Sequence, residues 1–171
     1  MGAVDFINFF VYVFVFSNAI VLSILFFSIK SKNKKANIYL GLGADYALPH
    51  EGEDEFFGSF VAGASFSVWE YVGFGIEGEV GQQLTDGDGR ETARVRGMLT
   101  YDFGTITGYA AVGAVQYEID GVNIDGDTVG LGAQMEVLDG VDGRFELIRD
   151  FIDDGFEPGV TTSRFALLYK F

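Results

Sequence analysis

The last eleven residues, from Thr161 to Phe171, alternate with a period of two. Phe165, Leu167, Tyr169 and Phe171 fall on one side, and Arg164, Ala166, Leu168 and Lys170 on the other. Successive side chains of a strand point to opposite faces, so one face is apolar and aromatic while the other carries two cations. A terminal strand rich in aromatic residues and closing on Phe suits a membrane–water interface, where rings sit at headgroup depth. The competing expectation is an amphipathic edge strand of a soluble sheet, and the rest of the chain decides between them.

The same period recurs upstream. Strands are expected over 37–48, 57–69, 72–82, 93–103, 107–119, 127–138 and 144–152, with 161–171 as the eighth. In most of them the apolar positions alternate with Gly, Ser, Thr, Gln or a charge. Ile38, Leu40 and Leu42 oppose Tyr39, Gly41 and Asp45; Val129, Leu131 and Met135 oppose Thr128, Gly130 and Gln134. In 107–119, Tyr109, Ala111, Val115, Tyr117 and Ile119 are read as the apolar outer face, with Gly108, Ala110, Ala114, Gln116 and Glu118 behind them. The count is even, and each strand is near the length of about 9–11 residues that a tilted strand needs to cross a bilayer. Connections after the first, third, fifth and seventh strands read as longer and acidic, the fifth spanning 120–126. Those after the second and fourth read as very short, and that after the sixth, 139–143, as intermediate. Long outer loops and short periplasmic turns follow this rhythm. The expected fold is all-β: an eight-stranded antiparallel up-and-down transmembrane β-barrel over 36–171.

The Gly-rich strand segments 39–46, 73–81 and 109–117, together with the terminal Phe165, Leu167, Tyr169 and Phe171, resemble the small bacterial outer-membrane β-barrels of the OmpA and opacity-protein type. The resemblance covers nearly all of 36–171. It implies residence in the outer membrane, a lipid bilayer around the barrel, and delivery by the barrel assembly machinery through the C-terminal strand. It implies a structural or surface-interaction role, and says little about any activity.

Residues 1–35 depart from that pattern. No charge occurs between Phe6 and Ile29, and Lys30, Lys32, Lys34 and Lys35 follow at once. The stretch is long enough to cross a bilayer as a helix, and a helical conformation is expected because a lone apolar segment then satisfies its own backbone. As an export signal it lacks a leading cation, carries Asp5, and shows no small-x-small cleavage site. As a retained anchor it would hold the following chain in the cytoplasm. It is read as a targeting or non-native segment outside the barrel.

Composition narrows the chemistry. The formal net charge is −14, and the 7 cations and 24 acids from Ala36 onward leave −17 on the barrel. Phosphate binding needs an excess of clustered Lys and Arg, and a charge of this sign argues against nucleic acid as a partner. There is no cysteine, hence neither a disulfide nor a thiolate metal site. The single histidine, His50, reads as solvated, and no serine nucleophile motif accompanies it. Asp86-Gly87-Asp88-Gly89-Arg90-Glu91 and Asp125-Gly126-Asp127 resemble calcium loops without the full spacing and read as Asp-Gly turns. No catalytic residue, cofactor or metal site is assigned.

One constellation remains. Glu77 and Glu79 share the polar face with Arg94 and Arg96 of the next strand, and Glu118, Glu136, Glu146, Arg164 and Lys170 are placed on that face as well. An eight-stranded barrel has room inside for side chains and little else, and buried charges must pair or be hydrated. The expectation is a lumen charge network that plugs the barrel, with the acidic loops free to meet a surface ligand. The alternatives are a narrow ion path through the network, or a soluble lipocalin-like barrel whose apolar face turns inward around a small ligand.

Overall fold

A computed structural model describes residues 36–49, 54–84, 89–119, 121–152 and 159–171. Residues 1–35, and His50 and Asp86–Asp88 with them, lie outside the described residues. Eight strands, β1 (Ala36–Pro49), β2 (Glu55–Ser67), β3 (Val72–Gln83), β4 (Glu91–Asp102), β5 (Thr107–Ile119), β6 (Val122–Leu138), β7 (Val141–Ile152) and β8 (Val160–Lys170), form one closed barrel. Each pairs antiparallel with its neighbours in sequence, and β8 returns to β1 with Leu42 opposite Leu167 and Asp45 opposite Arg164. Closure leaves no open sheet edge along the wall.

The alternation has a physical outcome on both faces. Leu42, Leu131, Phe165 and Leu167 point outward and are exposed, Leu42 by 70%. Arg164, Ala166 and Leu168, between the outward residues of β8, are buried inside. A soluble barrel with its apolar face inward is therefore not what the chain builds. Outward rings pair at the end where the chain enters and leaves: Tyr71 with Tyr101 at 6.2 Å, Tyr101 with Phe103 at 4.7 Å, and Tyr169 with Phe171 at 5.0 Å. We call this the turn end and the opposite one the loop end. At the loop end Tyr46 meets Phe56 at 5.0 Å.

Three expectations are corrected. The fifth connection is not an acidic loop over 120–126: β6 starts at Val122, so only two residues join β5 to β6, and Asp125 and Asp127 lie within the strand. Gly121 takes φ 75° there, the left-handed conformation that a two-residue Asp-Gly hairpin needs. The sixth connection shortens for the same reason. Gly140 adopts φ 74°, and β7 begins at Val141 rather than at 144. Finally, β5 faces the other way. Arg94 pairs with Val115 and Arg96 with Gly113, which places Tyr109, Ala111, Val115 and Tyr117 inside and Gln116 and Glu118 outside. A β-bulge between Glu136 and Leu138 breaks the alternation once and leaves both Val137 and Leu138 exposed.

Candidate functional site

The lumen is the site. Adjacent β3 and β4 pair Glu77 with Arg96 and Glu79 with Arg94 at directly opposed positions, so cross-strand register alone brings opposite charges together. Strands from the far wall complete each group. Arg96 spans Glu77 at 2.6 Å and Glu146 of β7 at 2.6 Å. Arg94 contacts Glu79 and reaches Asp150 of β7 at 2.6 Å, and Tyr117 donates to the same carboxylate at 2.5 Å. Arg164 of β8 donates to Asp45 of β1 at 2.7 Å and pairs with Glu79. Arg144 pairs with Glu77, donates to Gln134 Oε1 at 2.9 Å, and lies between the rings of Tyr39 and Tyr109, 5.2 and 4.9 Å from their centres. Tyr39 in turn donates to Glu77 at 2.8 Å.

Four arginines thus meet five carboxylates, all within 5% of full burial. Guanidinium suits this task because it is always charged and forks onto two carboxylates. Apolar layers bracket the network. Toward the loop end Ala47, Phe57, Val115, Tyr117 and Val160 form a buried cluster. Toward the turn end Tyr39, Val61, Ala166 and Leu168 form one cluster and Met98, Tyr109 and Ala111 another. Beyond these a polar vestibule of about 180 Å³ opens at the turn end, lined among others by Ser65, Thr100, Gln134 and Lys170.

No family model matches the chain, and no curated protein matches it. Solved structures do. Neisserial surface protein A (NspA) aligns with a TM-score of 0.59 at 12% identity, over 81% of this chain and 98% of that one. Ail, the attachment invasion locus protein of Yersinia pestis, aligns with 0.59 at 11% identity, over 82% and 100%. The N-terminal β-barrel domain of Pseudomonas aeruginosa OprF aligns with 0.57 at 11% identity, over 80% and 100%. The chain has the fold of the small outer-membrane β-barrels.

Within this outer-membrane barrel fold the sequence-assigned charges separate into three groups. Glu77, Glu79, Arg94, Arg96, Glu146 and Arg164 converge in the lumen. Glu136 and Lys170 pair with each other at 3.0 Å at the vestibule mouth, where Lys170 also meets Asp142 at 2.7 Å. Glu118 does not join the network: it lies on the outer face, opposite Glu91 and Asn123. The error had a physical source. One face of β5 carries Gln116 and Glu118, which suit a polar lumen, and the other carries Tyr109 and Tyr117, rings that suit a lipid interface equally well. Tyr109 and Tyr117 instead serve the arginines, one stacking on Arg144 and the other hydrogen-bonding the Arg94–Asp150 pair. Phe57 also points into the lumen. Sequence reasoning left Asp45, Arg144 and Asp150 out of the network. Their signal was present in the period: Arg144, Glu146 and Asp150 share one side of β7, and Asp45 shares the Tyr39 side of β1. Of the C-terminal residues, Phe165, Leu167 and Tyr169 face outward, and the Phe171 amide donates to Ile38 O at 2.9 Å across the closing seam.

Proposed function

We propose that this protein spans the bacterial outer membrane as a structural or surface-interaction barrel, with the turn end in the periplasm and the acidic loops outside. The observation that carries the reading is the pairing of an outward apolar wall with a lumen shut by ion pairs and a loop-end apolar cluster. Such a wall belongs against lipid, because soluble monomers rarely expose apolar patches of this extent. The terminal Phe165, Leu167, Tyr169 and Phe171 are the segment that the assembly machinery reads. The reading is non-enzymatic and non-conducting. The lumen carboxylates are occupied by arginines, which leaves them poorly placed for proton transfer.

The test is refolding of the full chain in detergent. Gel mobility with and without boiling is read beside circular dichroism in detergent and in plain buffer, and conductance is read in planar bilayers. The expected result is a heat-modifiable β-rich species that forms only with detergent and gives no discrete channel. A monomeric β-protein in plain buffer overturns the membrane reading. Steady ion conductance overturns the plug and favours the narrow pore.

A further inference from the structure

Outside the lumen, the loop end of the β5–β6 hairpin carries a block of oxygen donors. The cross-strand pairs Gln116–Asp125 and Glu118–Asn123 stand next to each other, and Glu91 of β4 opposes Glu118 from the other side. All five lie on the outer face, across the sheet from Val115 and Tyr117. Directly opposed residues have Cβ atoms about 4.5–5.5 Å apart, so these side chains share one patch. Glu91 and Glu118 are like charges directly facing each other, an arrangement that is unfavourable without a counter-charge. Among the described residues no ion pair reaches either of them.

A second observation points to what is missing. Gln116 is only 6% exposed, and its amide nitrogen donates to Asp125 Oδ1 at 2.7 Å. A carboxylate only accepts, so the amide orientation is fixed and the atom left over is the carbonyl oxygen. That Oε1 is buried with no partner, and so is Asn123 Oδ1. Two orphaned acceptors beside two opposed carboxylates ask for a cation that takes neutral and anionic oxygen alike. Calcium does so, binding six to eight oxygens from carboxylates, Asn and Gln carbonyls and water in flexible geometry, whereas magnesium holds a stricter octahedron and keeps its waters. No three carboxylates or histidines among the described residues suffice as a metal cluster on their own; here the amide oxygens complete the set.

We propose that this block is a calcium site, with Glu91 and Glu118 supplying charge, Gln116 Oε1 and Asn123 Oδ1 supplying neutral ligands, and Asp125 orienting Gln116. The ligands come across three strands rather than along a loop, so neither Asp-Gly run supplies the set by its own spacing. The inference rests on the fold alone and stands apart from any loop partner.

The test uses the full chain refolded in zwitterionic detergent, with calcium and then magnesium titrated by calorimetry. A heat-modifiable band verifies the fold of each variant. One calcium site preferred over magnesium is expected. Gln116→Leu and Glu118→Gln each weaken it by tenfold or more, while Glu70→Gln at the turn end leaves it unchanged. Gln116→Glu, which keeps an oxygen in place and adds charge, tightens it. Absence of calcium binding overturns the proposal. So does binding that Gln116→Leu and Glu118→Gln leave unchanged, because the ions are then held diffusely by the acidic loops.

Discussion

Between its loop end and its turn end the lumen changes character. At the loop end Phe57, Val115, Tyr117 and Val160 close over the arginines and are each 5% exposed or less. At the turn end Ser65, Thr100, Gln134 and Lys170 line an open polar vestibule. The same strands supply both ends, so the difference is not one of topology. It lies in which residues occupy the inward positions of each strand. Buried apolar clusters flank the ionic layer on both sides and keep its charge pairs in a low dielectric, where they are stronger. The lumen is therefore closed toward the loops and opens into a polar vestibule toward the turns.

The comparison can be broken at its centre first. Arg164 pairs with both Asp45 and Glu79, and Arg164→Leu leaves the buried Asp45 carboxylate without a guanidinium. Urea unfolding in detergent is expected to show the largest loss of the set, about 5 kcal/mol, since removing one partner of a buried pair leaves an uncompensated charge. Phe57→Ala opens the loop-end cluster and is expected to cost about 3 kcal/mol by the same measurement, from lost burial and the cavity left behind. Gly132→Ala comes next. A Cβ there would stand 2.5 Å from the Tyr109 ring, which is itself stacked on Arg144, and such overpacking costs about 1–3 kcal/mol. Thr100→Ala in the vestibule is expected to fall within about 0.5 kcal/mol of the parent, because it lines an open polar cavity away from the buried network. Labelling sharpens the contrast without perturbing stability. The chain has no cysteine, so Thr100→Cys should react with a membrane-impermeant thiol reagent while Val160→Cys stays unreactive. Equal labelling of both would erase the distinction between the ends.

Period-two alternation was enough to place eight strands, because burial of one face and exposure of the other is imposed residue by residue. Glu77, Glu79, Arg94 and Arg96 were legible for the same reason, being opposed on a single hairpin. What alternation could not convey is which face a strand turns inward when its one charge stands near the strand's end. β5 is such a strand, and its tyrosines are equally suited to lipid headgroups and to guanidinium groups. Nor could local sequence separate a two-residue hairpin from a loop where Asp and Gly are plentiful, and so 120–126 and 139–143 hid the ends of β6 and β7. Arg144 and Asp150 find their partners on strands distant in sequence: Arg144 meets Glu77 across 67 positions and Asp150 meets Arg94 across 56. Those pairings follow from closure and not from any neighbouring residue.

Closure also explains the longest of these contacts. Arg164 on the last strand bonds Asp45 on the first, 119 positions away, and the two are directly opposed at the seam. A slip of one residue in that final pairing would turn Arg164 out of the lumen and into hydrocarbon, where a cation is costly. It would leave Asp45 and Glu79 inside without it. The seam therefore proofreads its own alignment: the zipper that joins the two ends of the chain carries an ionic latch that engages in one register and penalises its neighbours.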